Sequence, residues 1–260
     1  MALSGKSIAL IASVVLFLMW TLTTYLLEGR LLTLHRPEAV LNRFVYTLVS
    51  NILIGIVGSI TLIRFLLNHT YISNPSLFGL IGSTWLILGI MIGLAFGLAF
   101  FFKQSFPSRH PIVIINAYSQ VLVVSIAEVI VCWVLVGGSI ANMGKNPIYL
   151  ILAVIVSSVL FGLYHFGHSP PFNTIKMVII LTIVGLVTGV FYFLTRNIYG
   201  TILFHNFMGI KGVTEALANS GRIESFKELQ LPIVATALVA VIILVILDTM
   251  FLRQAVVYHQ

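Results

Sequence analysis

Charge is what this chain has least of: Asp, Glu, Lys and Arg make up 8% of its 260 residues, against about a quarter in an ordinary soluble domain. Apolar residues make up 59% and mean hydropathy is +1.10. A chain of that composition has too little polar surface to cover itself in water, so lipid must solvate most of it. Cysteine is almost absent. The single Cys132 excludes a disulfide framework and a cysteine zinc cage. Acids are scarcer than bases, 7 against 14, for a net charge of +7. The bases stand singly between apolar runs, which fits loops lying against anionic headgroups and excludes a nucleic-acid partner.

A hydrocarbon core of about 30 Å needs about 20 apolar residues per crossing helix. Eight runs meet or approach that length, at 7–27, 44–66, 77–102, 112–136, 148–169, 177–195, 198–218 and 232–252. Lys211 and Glu215 make the seventh the weakest. The first run is too long for a cleavable signal core and has no small-residue cleavage site after it, so it reads as a retained span. The connections 68–76, 103–111, 137–147 and 169–176 hold the Pro, Gly, Asn and Ser that end helices. The expectation is all-α: a polytopic membrane bundle of about eight transmembrane helices, residues 1–260 forming one integral membrane domain.

Eight crossings put Lys6, Arg64, Lys145, Arg196 and Arg253 on the side of the termini, which is 5 bases. The other side receives Arg30, Arg36, Arg43, Lys103, Arg109, Lys176, Lys211, Arg222 and Lys227, which is 9. The richer side is expected to be cytoplasmic and the termini to lie outside.

Function has to come from polar groups that lipid would exclude. A carboxylate at mid-membrane costs about 2.5–3.5 kcal/mol on insertion scales, and Glu128 in VVSIAEVIVCW is the clearest case. Its structural reading is a hydrogen bond to a neighbouring helix, with Ser125 one turn earlier on the same face. Asp248 lies near the end of the last run, five residues before Arg253, and reads as a paired interfacial acid. The fifth run ends SSVLFGLYHFGHSPP, with Phe161, His165 and His168 on one helical stripe, and the seventh carries His205 and Asn206. Glu128, His165 and His205 stand in three different runs, and the cheapest partners for each are the other two. Counted from the chain ends of their helices, Glu128 and His165 differ in depth by about 7 Å at 1.5 Å per residue, a gap that long side chains and a water bridge.

FGLYH at Phe161 to His165, followed by the Gly-rich run IVGLVTGVFYFLTRNIYGTILFH ending at His205, resembles the intramembrane endopeptidases grouped as CAAX prenyl proteases and bacteriocin-processing enzymes. The resemblance covers residues 118–210. That family's pattern is Glu-Glu-x-x-x-Arg on one helix, Phe-x-x-x-His on the next and His-x-x-x-Asn or Asp on a later one. Here the second acid and the arginine are missing: they fall on Ala127 and Cys132, or on Val129 and Trp133, depending on which acid Glu128 is. Gly209 stands four after His205, with Asn206 about 100° around the helix.

The resemblance implies a helical bundle with a cavity, no cofactor, a multi-pass membrane location, and peptides or membrane proteins, lipidated ones included, as substrates. It makes Glu128 and His165 the water-activating pair and His205 the oxyanion donor, with Phe161, His168, Asn206 and Ser125 in support. Zinc held by Glu128, His165, His168 and His205 is the lesser alternative, since no H-E-x-x-H is present. Two non-peptidase readings stand beside it: a non-catalytic relative acting as a membrane scaffold or binding protein, and a proton-coupled transporter, for which the chain lacks a paired hydropathy repeat.

Overall fold

The computed structural model describes residues 3–33, 36 and 39–254. Among them are eight long helical segments and no strand. They are α1 (Gly5–Gly29), α2 (Val40–Asn68), α3 (Pro75–Lys103), α4 (Pro111–Ala141), α5 (Pro147–Gly167), α6 (Ile175–Thr195), α7 (Ile198–Asn219) and α8 (Leu231–Leu252). Their starts follow from local chemistry. Pro111, Pro147 and Pro232 occupy first-turn positions where no backbone N–H is needed. The side chains of Asn146, Thr174 and Asn197 accept from the free N–H groups of Ile148, Met177 and Gly200.

Helix α4 is the hub. Its most apolar stretch is 83% buried within the protein, whereas the corresponding stretches of α1, α3 and α8 are only 17–22% buried. The outer helices present large apolar side chains outward, Leu194, Leu41 and Phe102 among them. An apolar surface that wide would aggregate in water and is the natural surface of a bundle in lipid. The protein is a multi-pass membrane protein.

Seven of the eight segments are long and apolar enough to cross a membrane. The exception is α7, the expected weakest run. Its 22 residues still rise about 33 Å at 1.5 Å each, and it is polar because other helices sheathe it. Thr201, His205, Asn206 and Thr214 are all buried, and Lys211 pairs with Glu215 at 3.6 Å near its far end. Helix α3 meets α7 along Gly89, Gly93 and Gly97. A Cβ on Gly93 would collide with the backbone of Gly200, so the two helices touch main chain to main chain.

Asparagines fasten the two ends of the bundle. On the face where α7 begins, Asn197 Nδ2 donates to the carbonyls of Trp85 and Leu86 at 3.0 and 2.8 Å. On the opposite face, Asn116 Nδ2 donates to Phe226 O and Glu228 O at 2.9 and 2.7 Å. The expected pairing of Asp248 is present: it accepts from Arg253 Nε at 2.9 Å and from the Tyr199 hydroxyl at 2.7 Å. Arg253 Nη1 also donates to Ile81 O at 2.9 Å, and Lys6 Nζ lies 3.5 Å from Met143 O. The start of α1 and the end of α8 therefore lie on one face, the face where α3 and α5 begin. Cys132 is buried, which leaves it silent to a polar thiol reagent. Cysteines introduced at Ser4 and Gln254 should react with an impermeant maleimide from the same side of sealed vesicles, the extracytoplasmic one by the charge rule. Labelling from opposite sides would remove α7 as a crossing helix.

Candidate active site

Glu128, His165 and His205 meet in the interior. Glu128 Oε2 lies 3.1 Å from His205 Nε2, and Glu128 Oε1 lies 3.5 Å from His165 Nε2. All three residues are buried. The helices place them: Glu128 at the middle of the hub α4, His165 where the regular part of α5 ends, and His205 two turns into α7.

The other ring nitrogens set the protons. His165 Nδ1 is 2.8 Å from Phe161 O, a carbonyl that only accepts, so Nδ1 carries hydrogen. In the neutral ring Nε2 is then a lone pair, facing an oxygen of Glu128 that is also an acceptor. His205 is arranged the other way. Its Nε2–H is aligned to donate to Glu128 Oε2, a carboxylate oxygen that only accepts, while its Nδ1 lies 2.8 Å from the Thr188 hydroxyl, which itself donates to Val184 O at 3.0 Å. Phe161 stands edge-on to both imidazoles, with ring centroids 4.8 Å from His165 and 5.1 Å from His205. Trp133 packs 5.3 Å from His205. These aromatic walls keep the polar cluster in a low-dielectric setting, where each hydrogen bond is electrostatically stronger.

Ser125 and Asn206 support a different contact. The Ser125 hydroxyl donates to Asn206 Oδ1 at 3.3 Å, and Asn206 Nδ2 donates to Tyr118 O at 3.3 Å. The amide thus ties α7 to α4 one turn before Glu128. Gly209 packs against Val121, where a Cβ would be 2.7 Å from Val121 Cγ1. The helix pair has closed over the position where the resembled pattern has an amide.

His168 does not join Glu128. Its Nδ1 lies 3.2 Å from Glu28 Oε2, on α1. Glu28 is buried and also accepts from the Ser169 amide at 2.8 Å and from the Ser169 hydroxyl. Sequence reasoning missed Glu28 because it follows the apolar run 7–27 and looks like an ordinary flanking charge, with partners 141 residues away. The zinc set is divided accordingly, and among the described residues no group of three or more His, Cys, Asp or Glu is disposed to hold a metal ion.

A helical membrane bundle with one carboxylate between two imidazoles is the class of site that the motif resemblance implied. Residues 110–210 match the family model described as type II CAAX prenyl endopeptidase Rce1-like. Over those residues the chain is similar to that family, and the matched segment contains all three residues of the cluster. No curated protein and no solved structure gives a significant match to the chain.

The absent acid and arginine positions are packed shut. Ala127 and Cys132 are fully buried, and a Cβ on Gly55 of α2 would be 2.6 Å from Ala127 Cβ. Restoring the resembled pattern with Ala127→Glu and Cys132→Arg would force two charges into that seam. We expect the double variant to lose at least about 3 kcal/mol of stability, seen as a lower thermal midpoint in detergent, with no gain in activity. A stable double variant with increased cleavage would mean that the site had merely lost its missing parts.

Proposed function

We propose that this protein is a glutamate-type intramembrane endopeptidase acting on membrane-associated peptides. The observation that carries the reading is the facing pair of acceptors, Glu128 Oε1 and His165 Nε2, 3.5 Å apart. A water molecule has two hydrogens and satisfies both at once, which leaves its oxygen lone pair free to attack a carbonyl carbon. As the new C–O bond forms, Glu128 takes the proton of water and the carbonyl π pair moves onto oxygen. His205 Nε2–H is the donor for that oxyanion, released from Glu128 as the carboxylate becomes a carboxylic acid. Glu128 then returns the proton to the leaving nitrogen as the C–N bond breaks. An oxyanion donor is worth about 2.7–4 kcal/mol in known hydrolases, so one imidazole supplies useful catalysis without an amide beside it. The family described for residues 110–210 makes prenylated peptides the first substrates to try.

A non-catalytic role has one observation in its favour: the direct Glu128–His205 hydrogen bond and the sealed Ala127 seam form a closed polar core that also serves plain structural adhesion. One set of measurements separates the readings. Purified protein in detergent should cleave a fluorogenic farnesylated peptide. Glu128→Gln keeps size and hydrogen bonding, and should lower the rate by about 10²–10⁴-fold, the usual worth of a general base. His165→Ala should do likewise, and a zinc chelator should leave the rate unchanged. Wild-type cleavage by Glu128→Gln removes the base assignment, chelator inhibition moves the chemistry to zinc, and an inert wild type across farnesylated and unmodified peptides leaves the scaffold.

A further inference from the structure

Helix α1 lies outside the residues matched by the family model, and its Trp20, Thr24 and Glu28 fall on one face at intervals of four. All three reach the end of α5 that carries His165. Trp20 stacks on Tyr164 with ring centroids 3.7 Å apart and planes 11° from parallel. The Thr24 hydroxyl lies 3.3 Å from the Tyr164 hydroxyl. Glu28 closes the row by accepting from the amide and hydroxyl of Ser169 and by meeting His168 Nδ1. The backbones approach so closely that a Cβ on Gly29 would collide with Gly167 O. Between Tyr164 and Ser169 runs the short turn His165–Gly167, whose first residue faces Glu128.

His165 and His168 lie with ring centroids 5.2 Å apart, yet face different carboxylates, Glu128 and Glu28. Glu28 gives His168 a carboxylate of its own. The acid missing beside Glu128 thus has a counterpart on another helix, buried and fully engaged.

We propose that Glu28 is a positioning residue: by fixing the turn from His165 to Ser169 and holding His168 to itself, it sets His165 Nε2 toward Glu128. The proposal rests on the reading of Glu128 and His165 as the water-binding pair. Glu28 acts through the register of His165, so its loss lowers turnover without changing substrate binding.

The test follows kcat and KM on the farnesylated peptide, together with two signals that need no activity. These are the exchange rate of the Ser169 amide and the protected His165 Nδ1–H resonance of ¹⁵N-histidine-labelled protein in micelles. Glu28→Ala should lower kcat about 100-fold, the effect of a displacement of about 1 Å at a reacting group, with KM within about twofold. Ser169 should exchange at least about tenfold faster, and the His165 resonance should disappear. Glu28→Gln retains an acceptor for the Ser169 amide, and should recover the resonance and about a tenth of wild-type kcat. Ser169→Ala, which deletes only the hydroxyl bond, should fall in the same range and decides the matter should Glu28→Ala not accumulate. Glu224→Gln, at an exposed surface pair, serves as the control. Unchanged kcat in both Glu28→Gln and Ser169→Ala overturns the proposal, as does a loss seen only in KM. If the wild type cleaves nothing, the peptidase reading fails, and the exchange and resonance data alone decide whether Glu28 holds His165: both signals unchanged in Glu28→Ala, or in Glu28→Leu should Glu28→Ala not accumulate, would refute it.

Discussion

A carboxylate buried at hydrocarbon depth needs donors, and Glu128 can obtain them only from other helices because its own helix has spent its N–H groups on itself. That requirement organises the interior. It brings α7 to α4, where His205 donates to Glu128, and leaves His165 on α5 facing the other carboxylate oxygen 3.5 Å away. It also explains why α4 is the most enclosed helix. The cost of burying Glu128 is offset only while the His205 imidazole stays in register, so a contact that stabilises the bundle also fixes the geometry of the cluster.

The second carboxylate distributes this load. Glu28 secures the far end of α5 from α1, through a turn in which Gly29 and Gly167 allow the main chains to meet. The matched segment supplies the three residues of the cluster, while a helix outside it supplies the clamp. A site assembled from α1, α4, α5 and α7 depends on the whole bundle rather than on the part that carries the motifs.

Much of this was legible in the sequence, for identifiable reasons. Apolar runs are strong signals: all eight fell within five residues of the observed helices, the largest difference being the end of α4, where the buried Gly137–Ala141 continue the helix. Charge interruption by Lys211 and Glu215 marked α7 correctly as the odd helix, although its sheath of neighbours cannot be read from composition. Glu128, His165 and His205 stood out because lipid excludes such residues unless partners exist. Glu28 did not, because polar residues are common at the ends of spans and its partners lie on another helix. Asn206 was visible, but its engagement with Ser125 and Tyr118 depends on the rotation of α7 against α4, which spacing within one helix does not specify.

The glycine contact between α3 and α7 bears on how the protein can move. Where Gly93 meets Gly200, main chain rests on main chain, with no side chain between them to change rotamer and absorb a shift. A sliding or turning α7 would have to break that seam outright. Helix α7 thus behaves as a fixed post. Movement in the bundle falls first to contacts made of side chains, which can be remade one rotamer at a time.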